Sequence, residues 1–318
     1  MTQLQVKVLR KKQEAEGIAS FELARADGGA LPAFSAGSHI DVQVPGGLTR
    51  QYSLCNDAVA RNTYRIAVLR DAKSRGGSAG MHDTLKEGDV LTISEPRNHF
   101  PLVHAVRTLL FAGGIGITPL YSMAHRLAAV GSDFELHYSA RSKAMTAFMD
   151  EIAASNFSDR VHYHFDDGAE DQKLQLTRVL TTVEPQTHLY VCGPSGFIQF
   201  VTDWAKGCGW PAAQIHVEFF SAPEQDTSAD RAFDVKIAST GQVVNVPAGT
   251  TVIQALAAAG VEVLTSCEQG VCGTCITRVL DGVCDHRDMY FNDEERAKND
   301  QFTPCCSRAK SAVLVLDL

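Results

Sequence analysis

Hydrophobic and polar residues alternate along the first hundred residues of the chain. The alternation has a period of two in residues 4–8, 39–44 and 64–68, and Gly-Gly and Pro-Gly-Gly turns separate such stretches. Successive side chains of a strand point to opposite faces, so this pattern is typical of half-buried strands joined by tight turns. It predicts a small antiparallel β-barrel over residues 1–103.

The pattern changes after residue 104. A short apolar stretch at 108–111 precedes a glycine-rich turn and a helical pattern that continues to Leu127, and further apolar stretches follow at 134–138 and 189–191. Strands that alternate with helices indicate a doubly wound parallel sheet. We therefore expect a separate α/β domain that ends at residue 222.

The carboxyl-terminal third has a third pattern. Residues 223–230 are polar and lack large apolar side chains, which predicts a linker. Strands are predicted at 233–237 and 243–246, followed by a helix at 251–259 and a loop rich in cysteine. We expect a domain over residues 231–318 in which a single helix packs on a mixed sheet.

Composition and charge exclude several classes of protein. With 318 residues and 45% hydrophobic content, the chain can form two or three separate cores. The net charge of −8 argues against a nucleic-acid partner, and no apolar stretch is long enough to span a bilayer. Residues 1–17 alternate charge and apolarity and lack the apolar core of a signal peptide. We expect a cytoplasmic protein that binds neither nucleic acid nor membrane.

Three cysteines lie in one short loop. Cys267, Cys272 and Cys275 are separated by four and then two residues, and further thiols follow at Cys305 and Cys306. This is the ligand spacing of a plant-type two-iron cluster. Such crowded thiols suit a metal better than disulfides, which are rare in cytosolic proteins. The loop therefore predicts a [2Fe–2S] centre and an electron-transfer protein.

Two details of this region are open on the residues alone. Successive side chains of an extended segment point to opposite faces, so only one of Cys305 and Cys306 should face the cluster. Gly270 and Gly273 fit the loop because they allow positive φ and a close approach of the backbone to the inorganic sulfurs. Cys284 followed by Asp-His suggests a Rieske centre, but no Cys-x-x-His partner follows, and that alternative fails.

A glycine-rich segment lies where the first strand of the α/β pattern gives way to a helix. Its sequence, Gly-Gly-Ile-Gly-Ile-Thr-Pro, occupies residues 113–119, and Cys-Gly-Pro at 192–194 ends a later strand. Free N–H groups at a helix start bind anions, so we expect a pyrophosphate there, with both loops beside one crevice. The segment is not the strict dinucleotide fingerprint, and a tight turn alone would also explain the glycines.

Four motifs together resemble the phthalate dioxygenase reductase family, which includes the vanillate O-demethylase reductases. They are Arg-Gln-Tyr-Ser-Leu at 50–54, the segments 113–119 and 192–194, and the cysteine loop. The resemblance covers essentially the whole chain. It implies an antiparallel flavin-binding β-barrel (1–103), a doubly wound parallel α/β nucleotide domain (104–222) and a β-grasp ferredoxin-like domain (231–318). It also implies Cys305 as the fourth cluster ligand, with Cys267, Cys272 and Cys275.

The resemblance further implies roles for individual residues. Arg50 would hold the flavin phosphate, Tyr52 would pack on the isoalloxazine, and Ser53 would bond near its reactive nitrogen. A guanidinium suits a phosphate dianion and an aromatic face suits a planar ring, so the residue types fit these roles. The implied flavin-binding residues are Arg50, Gln51, Tyr52, Ser53, Val68, Arg75, Gly76, Gly77 and Ser78. The implied nucleotide-binding residues are Gly113, Gly114, Gly116, Ile117, Thr118, Pro119, Ser139, Arg141, Cys192, Gly193 and Pro194.

The expected chemistry is that of the cofactors. A nicotinamide delivers two electrons as a hydride, a [2Fe–2S] cluster takes one, and a flavin can do both, so the flavin must stand between them. No protein acid or base is required, although Ser53, Cys192 and Phe220 are expected near the flavin or nicotinamide. Phe220 would shield the flavin face, or would belong to the core. FMN, in place of FAD, is implied by the resemblance.

Preference between NADH and NADPH is open on the residues. The predicted strand 134–138 ends in Ser139-Ala140-Arg141, where no acid could receive a ribose hydroxyl and a Ser with an Arg could hold a 2′-phosphate. The resemblance favours NADH, which we expect.

Two remaining motifs receive no catalytic role. His286-Arg287-Asp288 is similar to part of a kinase catalytic loop, but no matching context accompanies it, and we interpret it as structural. The acidic residues 293–295 indicate a solvated helix start, or could orient a basic partner surface.

The expected function is that of an NADH-dependent reductase component, a monomer, which feeds a separate Rieske-type oxygenase. Its substrate would be an aromatic acid, a methyl ether or a quaternary amine. A redox sensor or scaffold and a reductase of a di-iron hydroxylase are the alternatives. The sequence contains no recognisable DNA-binding module, regulatory tail or oxygenase metal motif, which favours the oxygenase reductase.

Overall fold

The computed structural model describes residues 3–71, 76–220 and 227–318. The chain divides into two compact units, Met1–Glu218 and Phe219–Leu318. Each is described by itself.

The first unit begins with an antiparallel β-barrel. Its sheet has the order β4-β3-β6-β1-β2-β5. A bridge between Leu54, just after β4, and Ile66 of β5 joins the two edges and closes the barrel. The strands are β1 (Gln3–Ala15), β2 (Ile18–Arg25), β3 (His39–Gln43), β4 (Thr49–Ser53), β5 (Tyr64–Leu69) and β6 (Val90–Ser94). A short helix, α1 (Gly77–Ala79), continues into a π-helical turn, Gly80–Thr84.

The apolar residues that alternate along the sequence are the buried residues of these strands. Leu4, Val6 and Val8 of β1 are buried, whereas the residues between them are exposed. They pack with Phe21 and Ile40 in one apolar cluster inside the barrel. Burying each such side chain contributes roughly 1.5 to 3 kcal/mol, which fixes the register of the strands.

A five-stranded parallel sheet forms the other half of the first unit. Its order is β11-β10-β7-β8-β9, so the chain first adds strands on one side of β7 and then crosses to the other side. The loops after β7 and β10 therefore flank a crevice at the carboxyl edge, as expected for a doubly wound sheet. The strands are β7 (Arg107–Gly113), β8 (Asp133–Ala140), β9 (Val161–Phe165), β10 (Thr187–Cys192) and β11 (Ile215–Glu218). The helices are α2 (Ile117–Ala129), α3 (Met149–Ala153), α4 (Leu176–Val179) and α5 (Ser195–Gly207).

The barrel and the parallel sheet share contacts within the first unit. Ile18 and Phe100 from the barrel side belong to the same buried cluster as residues of β7 and α2. Beside this cluster, the Arg65 guanidinium lies 2.6 Å from both Glu14 and Glu151, which joins β5 and β1 to α3. Its guanidinium holds the pKa of Glu151 down to about 2.

The second unit contains a mixed sheet in the order β13-β12-β18-β14-β16 and a separate β15-β17 pair. β12 and β18 run parallel, and the other paired strands run antiparallel. The strands are β12 (Phe233–Ile237), β13 (Val243–Val246), β14 (Thr277–Asp281), β15 (Cys284–Asp285), β16 (Gln301–Phe302), β17 (Arg308–Ala309) and β18 (Val313–Leu316). The helices are α6 (Val252–Ala258) and α7 (Asp293–Lys298).

One helix of this unit, α6, packs on the sheet, as predicted, and a second one, α7, is solvated. A capping box of Thr251 and Gln254 begins α6, which buries Val252 and Leu256 against the sheet. Asn292 begins α7 with a second capping box, and no residue of α7 is buried. The predicted solvated helix start at 293–295 thus forms a whole short helix.

The fold class is confirmed: an antiparallel barrel, a parallel α/β sheet and a mixed-sheet domain follow one another. The bounds 1–103, 104–222, 223–230 and 231–318 stay predictions, and residues 223–226 lie outside the described residues. Within the described ranges, no helix has both the length and the apolarity needed to cross a bilayer.

Candidate functional site

Four of the six cysteines of the second unit form two hydrogen-bonded pairs. The Cys267 thiol is hydrogen-bonded to Cys272, and the Cys305 thiol is hydrogen-bonded to Cys275 and also to its neighbour Cys306. All four are buried. The bond from Cys267 lowers the pKa of Cys272 to about 5 and raises the pKa of Cys267. The fold has therefore brought a thiol 30 residues away in sequence to the short loop.

This pairing suits a binuclear centre and not a single ion. Among the described residues, no three His, Cys, Asp or Glu side chains converge on a position that could hold one metal ion. A [2Fe–2S] cluster needs four thiolates, two on each iron. The two hydrogen-bonded pairs supply four buried thiols.

The loop also offers hydrogen bonds to sulfur. The backbone N–H of Gln269 donates to Cys267 Sγ over 3.3 Å, and the N–H of Thr274 donates to Cys272 Sγ over 3.4 Å. Such donors stabilise thiolates and raise the reduction potential of a cluster bound to them. Both glycines of the loop have positive φ, 71° at Gly270 and 70° at Gly273.

The structure separates the two candidates for the fourth ligand. Cys305 is buried and bonds to Cys275, whereas Cys306 is half-buried and its Sγ lies 3.3 Å from Thr303 Oγ1. The two side chains thus differ in direction, as the alternation rule predicts. Cys305 is the one that bonds to a thiol of the loop, whereas the Cys306 Sγ lies beside Gly270, and the role of Cys305 as a ligand stays a prediction.

In the first unit, the two predicted nucleotide loops lie against each other. A Cβ added to Gly116 would lie 2.2 Å from the carbonyl oxygen of Cys192, and one added to Gly193 would lie 2.9 Å from Gly113 Cα. Only glycine permits this approach. The turn Gly114–Gly116 leads into α2 at the crevice, and its first residue, Gly114, has a φ of 53°.

Several of the predicted nucleotide-binding side chains are themselves buried. The side chains of Ile117, Thr118 and Pro119 lie in the core, and the Thr118 hydroxyl donates to the carbonyl of Ile115 over 3.0 Å. Contact with a pyrophosphate would therefore come from backbone N–H groups of the turn and not from these side chains. Pro194 stands just before α5, at the other side of the crevice.

Ser139 lies at the carboxyl end of β8, next to that crevice, and Arg141 directly follows the strand. Ser139 pairs in register with Gly113, and its hydroxyl is buried without a hydrogen-bond partner among the described residues. Arg141 is exposed. An unpaired buried hydroxyl is costly, so a ligand hydroxyl at this position would suit it.

Two of the predicted flavin-phosphate residues, Arg50 and Gly77, lie against each other in the barrel domain. Arg50 lies in β4, and a Cβ added to Gly77 would lie 3.0 Å from Arg50 Cγ, so the residues after 75 pass directly over this side chain. Ser78 Oγ accepts a hydrogen bond from the Asp71 N–H over 3.1 Å. Gly76 is exposed, and Arg75 lies outside the described residues.

The remaining predicted flavin residues differ in how accessible they are. Tyr52 packs partly against the barrel core, and burial raises its pKa to about 12. Gln51 Nε2 donates to Asp41 Oδ1 over 2.9 Å. The side chain of Val68 is buried in the barrel core and its carbonyl lies 2.8 Å from His82 Nε2, and its place beside the flavin ring stays a prediction.

A buried polar cluster lies where β4 meets the ends of β10 and β11. Ser53 Oγ donates to Glu218 Oε2 over 3.4 Å, and Glu218 pairs in register with Cys192. Removal from water raises the pKa of the Glu218 carboxyl to about 8, although the side chain retains some exposed area and the Ser53 bond opposes the shift. Burial and this carboxyl raise the pKa of the Cys192 thiol.

Sequence reasoning missed Glu218. It lies at the carboxyl end of β11, a strand without a motif of its own, and 165 residues separate it from Ser53. The available signal was an acidic residue at the end of a strand, directly before two phenylalanines. Phe220, by contrast, has a partly exposed ring and belongs to the second unit, so its predicted contact with flavin stays a prediction.

Comparison with known proteins supports both the nucleotide crevice and the cysteine loop. A model of the oxidoreductase NAD-binding domain matches residues 110–203, and a model of the 2Fe-2S iron-sulfur cluster binding domain matches residues 235–310. Vanillate O-demethylase oxidoreductase of Pseudomonas sp. strain HR199 is 56% identical over 305 residues, 96% of each chain. Phthalate dioxygenase reductase of Burkholderia cepacia is 41% identical over 317 residues, 99% of this chain and 97% of the relative.

The chain belongs to the phthalate dioxygenase reductase family. A solved structure of phthalate dioxygenase reductase, described as modular for electron transfer from pyridine nucleotides to [2Fe–2S], matches with a TM-score of 0.81 and 41% identity. The match covers 99% of this chain and 98% of the solved one. As a member of this family the chain is an oxygenase-system reductase, an NAD(P)H-dependent flavin and iron–sulfur oxidoreductase.

Proposed function

We propose that this chain is the NADH-dependent reductase of a separate Rieske-type oxygenase that removes a methyl group from an aromatic ether of the vanillate kind. The observation that carries the proposal is the 56% identity to a vanillate O-demethylase oxidoreductase over nearly the whole of both chains. We place the protein in the cytoplasm as a monomer that meets its oxygenase transiently.

We assign the cluster to the four paired thiols. Cys267 and Cys272 would hold one iron, and Cys275 and Cys305 the other, because these are the pairs in contact. The N–H groups of Gln269 and Thr274 would continue to donate to the sulfurs. Cys306, turned toward Thr303, would remain a free thiol.

We assign FMN to the mouth of the barrel, on family grounds for FMN over FAD. Arg50, Gly77 and Ser78 would hold its phosphate, since Gly77 lies against Arg50 and Ser78 follows it, and Tyr52 would cover part of the ring. When bound, the flavin supplies the change from paired to single electrons, and the cluster carries them singly.

Ser53 and Glu218 would orient the flavin and supply a proton to it. With a pKa of about 8, the Glu218 carboxyl holds its proton at neutral pH and can share it with the Ser53 hydroxyl. This places a neutral acid, not an anion, beside the flavin's expected position. The neutral Cys192 thiol next to it would exclude water from the nicotinamide ring.

The crevice between the turn Gly114–Gly116 and residues 192–194 would take the nucleotide. Backbone N–H groups would bind the pyrophosphate, and the buried Ser139 hydroxyl would bond the ribose. We propose NADH as the donor. Comparing kcat/KM for NADH and NADPH tests this point, and a higher value for NADPH would contradict it.

The proposed function is tested by reconstitution. The purified reductase is mixed with the oxygenase component of vanillate O-demethylase, NADH and vanillate, and demethylated product and NADH consumption are followed together. The expected result is product formation coupled to NADH use, which is lost with Cys305→Ser. NADH oxidation with an artificial acceptor but no electron transfer to this or any tested Rieske oxygenase would overturn the partner assignment.

A further inference from the structure

Asp288 is a buried acid of the second unit, with a side chain that has no exposed area. Its Oδ2 accepts hydrogen bonds from the backbone N–H groups of Tyr290, over 3.0 Å, and Phe291, over 2.8 Å. Its Oδ1 accepts one from the Ser307 hydroxyl over 3.3 Å and lies 3.4 Å from His286 Nδ1. A carboxylate so placed requires an explanation, because burial of a charge is costly unless it is well bonded.

One side of Asp288 holds the turn that carries Cys305. The Ser307 hydroxyl, bonded to Asp288, also accepts from the Arg287 N–H over 3.1 Å and shares a hydrogen bond with Thr303 Oγ1 over 3.0 Å. The carbonyl of Thr303 in turn accepts from the Ser307 N–H over 3.0 Å. These bonds fix the conformation of residues 303–307.

The other side of Asp288 holds the loop that carries the first three thiols. The N–H of Met289 donates to the carbonyl of Gly270 over 2.9 Å. A Cβ added to Gly270 would lie 3.1 Å from Asp288 Cα and 2.5 Å from Cys306 Sγ. The backbone around Asp288 is therefore packed between the two segments from which all four proposed ligands come.

The charge of Asp288 is only partly offset by its surroundings. Arg296 of α7 is the nearest cation, 3.9 Å from Oδ2, and also donates to the Asp288 carbonyl. Arg287 points to other acids, 2.7 Å from Asp230 and 2.8 Å from Asp285. A buried negative charge beside a redox centre opposes the arrival of an electron.

We infer that Asp288 is a positioning residue for the iron–sulfur centre. It fastens the Cys305 turn to the loop 267–275, and its charge lowers the reduction potential of the cluster that these segments hold. The motif His286-Arg287-Asp288 thus has a role in electron transfer that sequence reasoning did not give it. The inference rests on the ligand set proposed above, which Cys305→Ser tests separately.

The test is Asp288→Asn in the full chain. The amide keeps the volume and can still accept from Tyr290 and Phe291, but it removes the charge. The midpoint potential of the cluster is measured by redox titration followed by electron paramagnetic resonance, and cluster loss is followed in a chelator. We expect a more positive potential and faster cluster loss, with hydride transfer from NADH to flavin unchanged.

Two further variants make the result specific. Asp285→Asn removes a different carboxylate from the same segment. The Asp285 carboxylate pairs with Arg287 and bonds to neither of the segments that carry the ligands. The potential and the cluster retention of this variant should therefore match those of the wild type. Ser307→Ala should accelerate cluster loss with little change in potential. If Asp288→Asn does not fold, a wild-type rate of cluster loss in Ser307→Ala overturns the inference. A wild-type potential in Asp288→Asn, or an equal shift in Asp285→Asn, overturns it directly.

Discussion

The Ser53 hydroxyl donates a hydrogen bond to Oε2 of Glu218 over 3.4 Å, joining the fourth strand of the barrel to the last strand of the parallel sheet. The carboxyl is held in an environment that favours its neutral form. Because Cys192 lies in register with Glu218, a hydroxyl, a carboxyl and a thiol meet where the two sheets of the first unit join.

The first prediction concerns pH and Glu218. Its folded pKa of about 8 is above the usual 4.5, so below pH 4.5 the carboxyl is protonated in both states and costs nothing. As pH rises toward 8, the unfolded chain releases the proton and the folded chain keeps it, so stability falls. Relative to Glu218→Gln, the wild type should lose roughly 1 to 3 kcal/mol of unfolding free energy between pH 5 and pH 9.

Urea unfolding of both proteins at a series of pH values measures this difference. Glu16→Gln, a change at an exposed acid of the same unit, serves as the control and should leave the wild-type pH profile intact. The interpretation of Glu218 fails if Glu218→Gln and the wild type follow parallel profiles.

The second prediction concerns flavin retention. Arg50→Ala should weaken flavin binding about 10- to 100-fold, because a charge-assisted hydrogen bond is worth roughly 1.5 to 3 kcal/mol. Fluorescence of released flavin on dilution measures the loss. Arg25→Ala removes an exposed guanidinium that pairs with Asp27 elsewhere on the barrel, and it should retain flavin like the wild type. Equal retention in Arg50→Ala and Arg25→Ala would exclude the phosphate role.

The third prediction separates the two neighbouring thiols. Cys305→Ser should abolish the visible absorbance of the cluster, because Cys305 is the one bonded to Cys275. Cys306→Ser should retain the absorbance, because Cys306 points to Thr303 and Ser307. Iron and sulfide analysis of anaerobically purified protein checks both. A cluster that persists in Cys305→Ser and disappears in Cys306→Ser would reverse the assignment.

The fourth prediction concerns the nucleotide crevice. A methyl group at position 116 cannot fit 2.2 Å from the Cys192 carbonyl, so Gly116→Ala must displace the loop 192–194. We expect KM for NADH to rise at least tenfold and stability to fall by about 1 to 3 kcal/mol. Gly207→Ala, at the end of α5 where an added Cβ meets nothing within 4 Å, is the matched control in the same unit. An unchanged KM in Gly116→Ala would show that the two loops do not form the nucleotide site.

Local patterns predicted much of this molecule. Strands at 233–237 and 243–246 and the helix bounded by Thr251 and Ala259 agree with the structure because alternation and capping are properties of neighbouring residues. The spacing of the cysteines likewise encoded a loop geometry. These features depend on residues that are close in sequence.

The features that sequence reasoning missed depend on distant contacts. Glu218 acquires its raised pKa only when the fold removes the end of β11 from water, and no local pattern marks it. Asp288 was interpreted as merely structural because its partners, Gly270 and Ser307, are 18 and 19 residues away on separate segments.

The central claim is that one polypeptide passes electrons from NADH to its cluster by way of its flavin. The most direct test is anaerobic rapid mixing of the holoprotein with NADH, with the flavin and cluster absorbances followed separately, and the same experiment on flavin-depleted protein that retains its cluster. The account predicts that the flavin bleaches before the cluster and that the flavin-depleted protein keeps its cluster oxidised. Reduction of the cluster by NADH at the wild-type rate without flavin would contradict it.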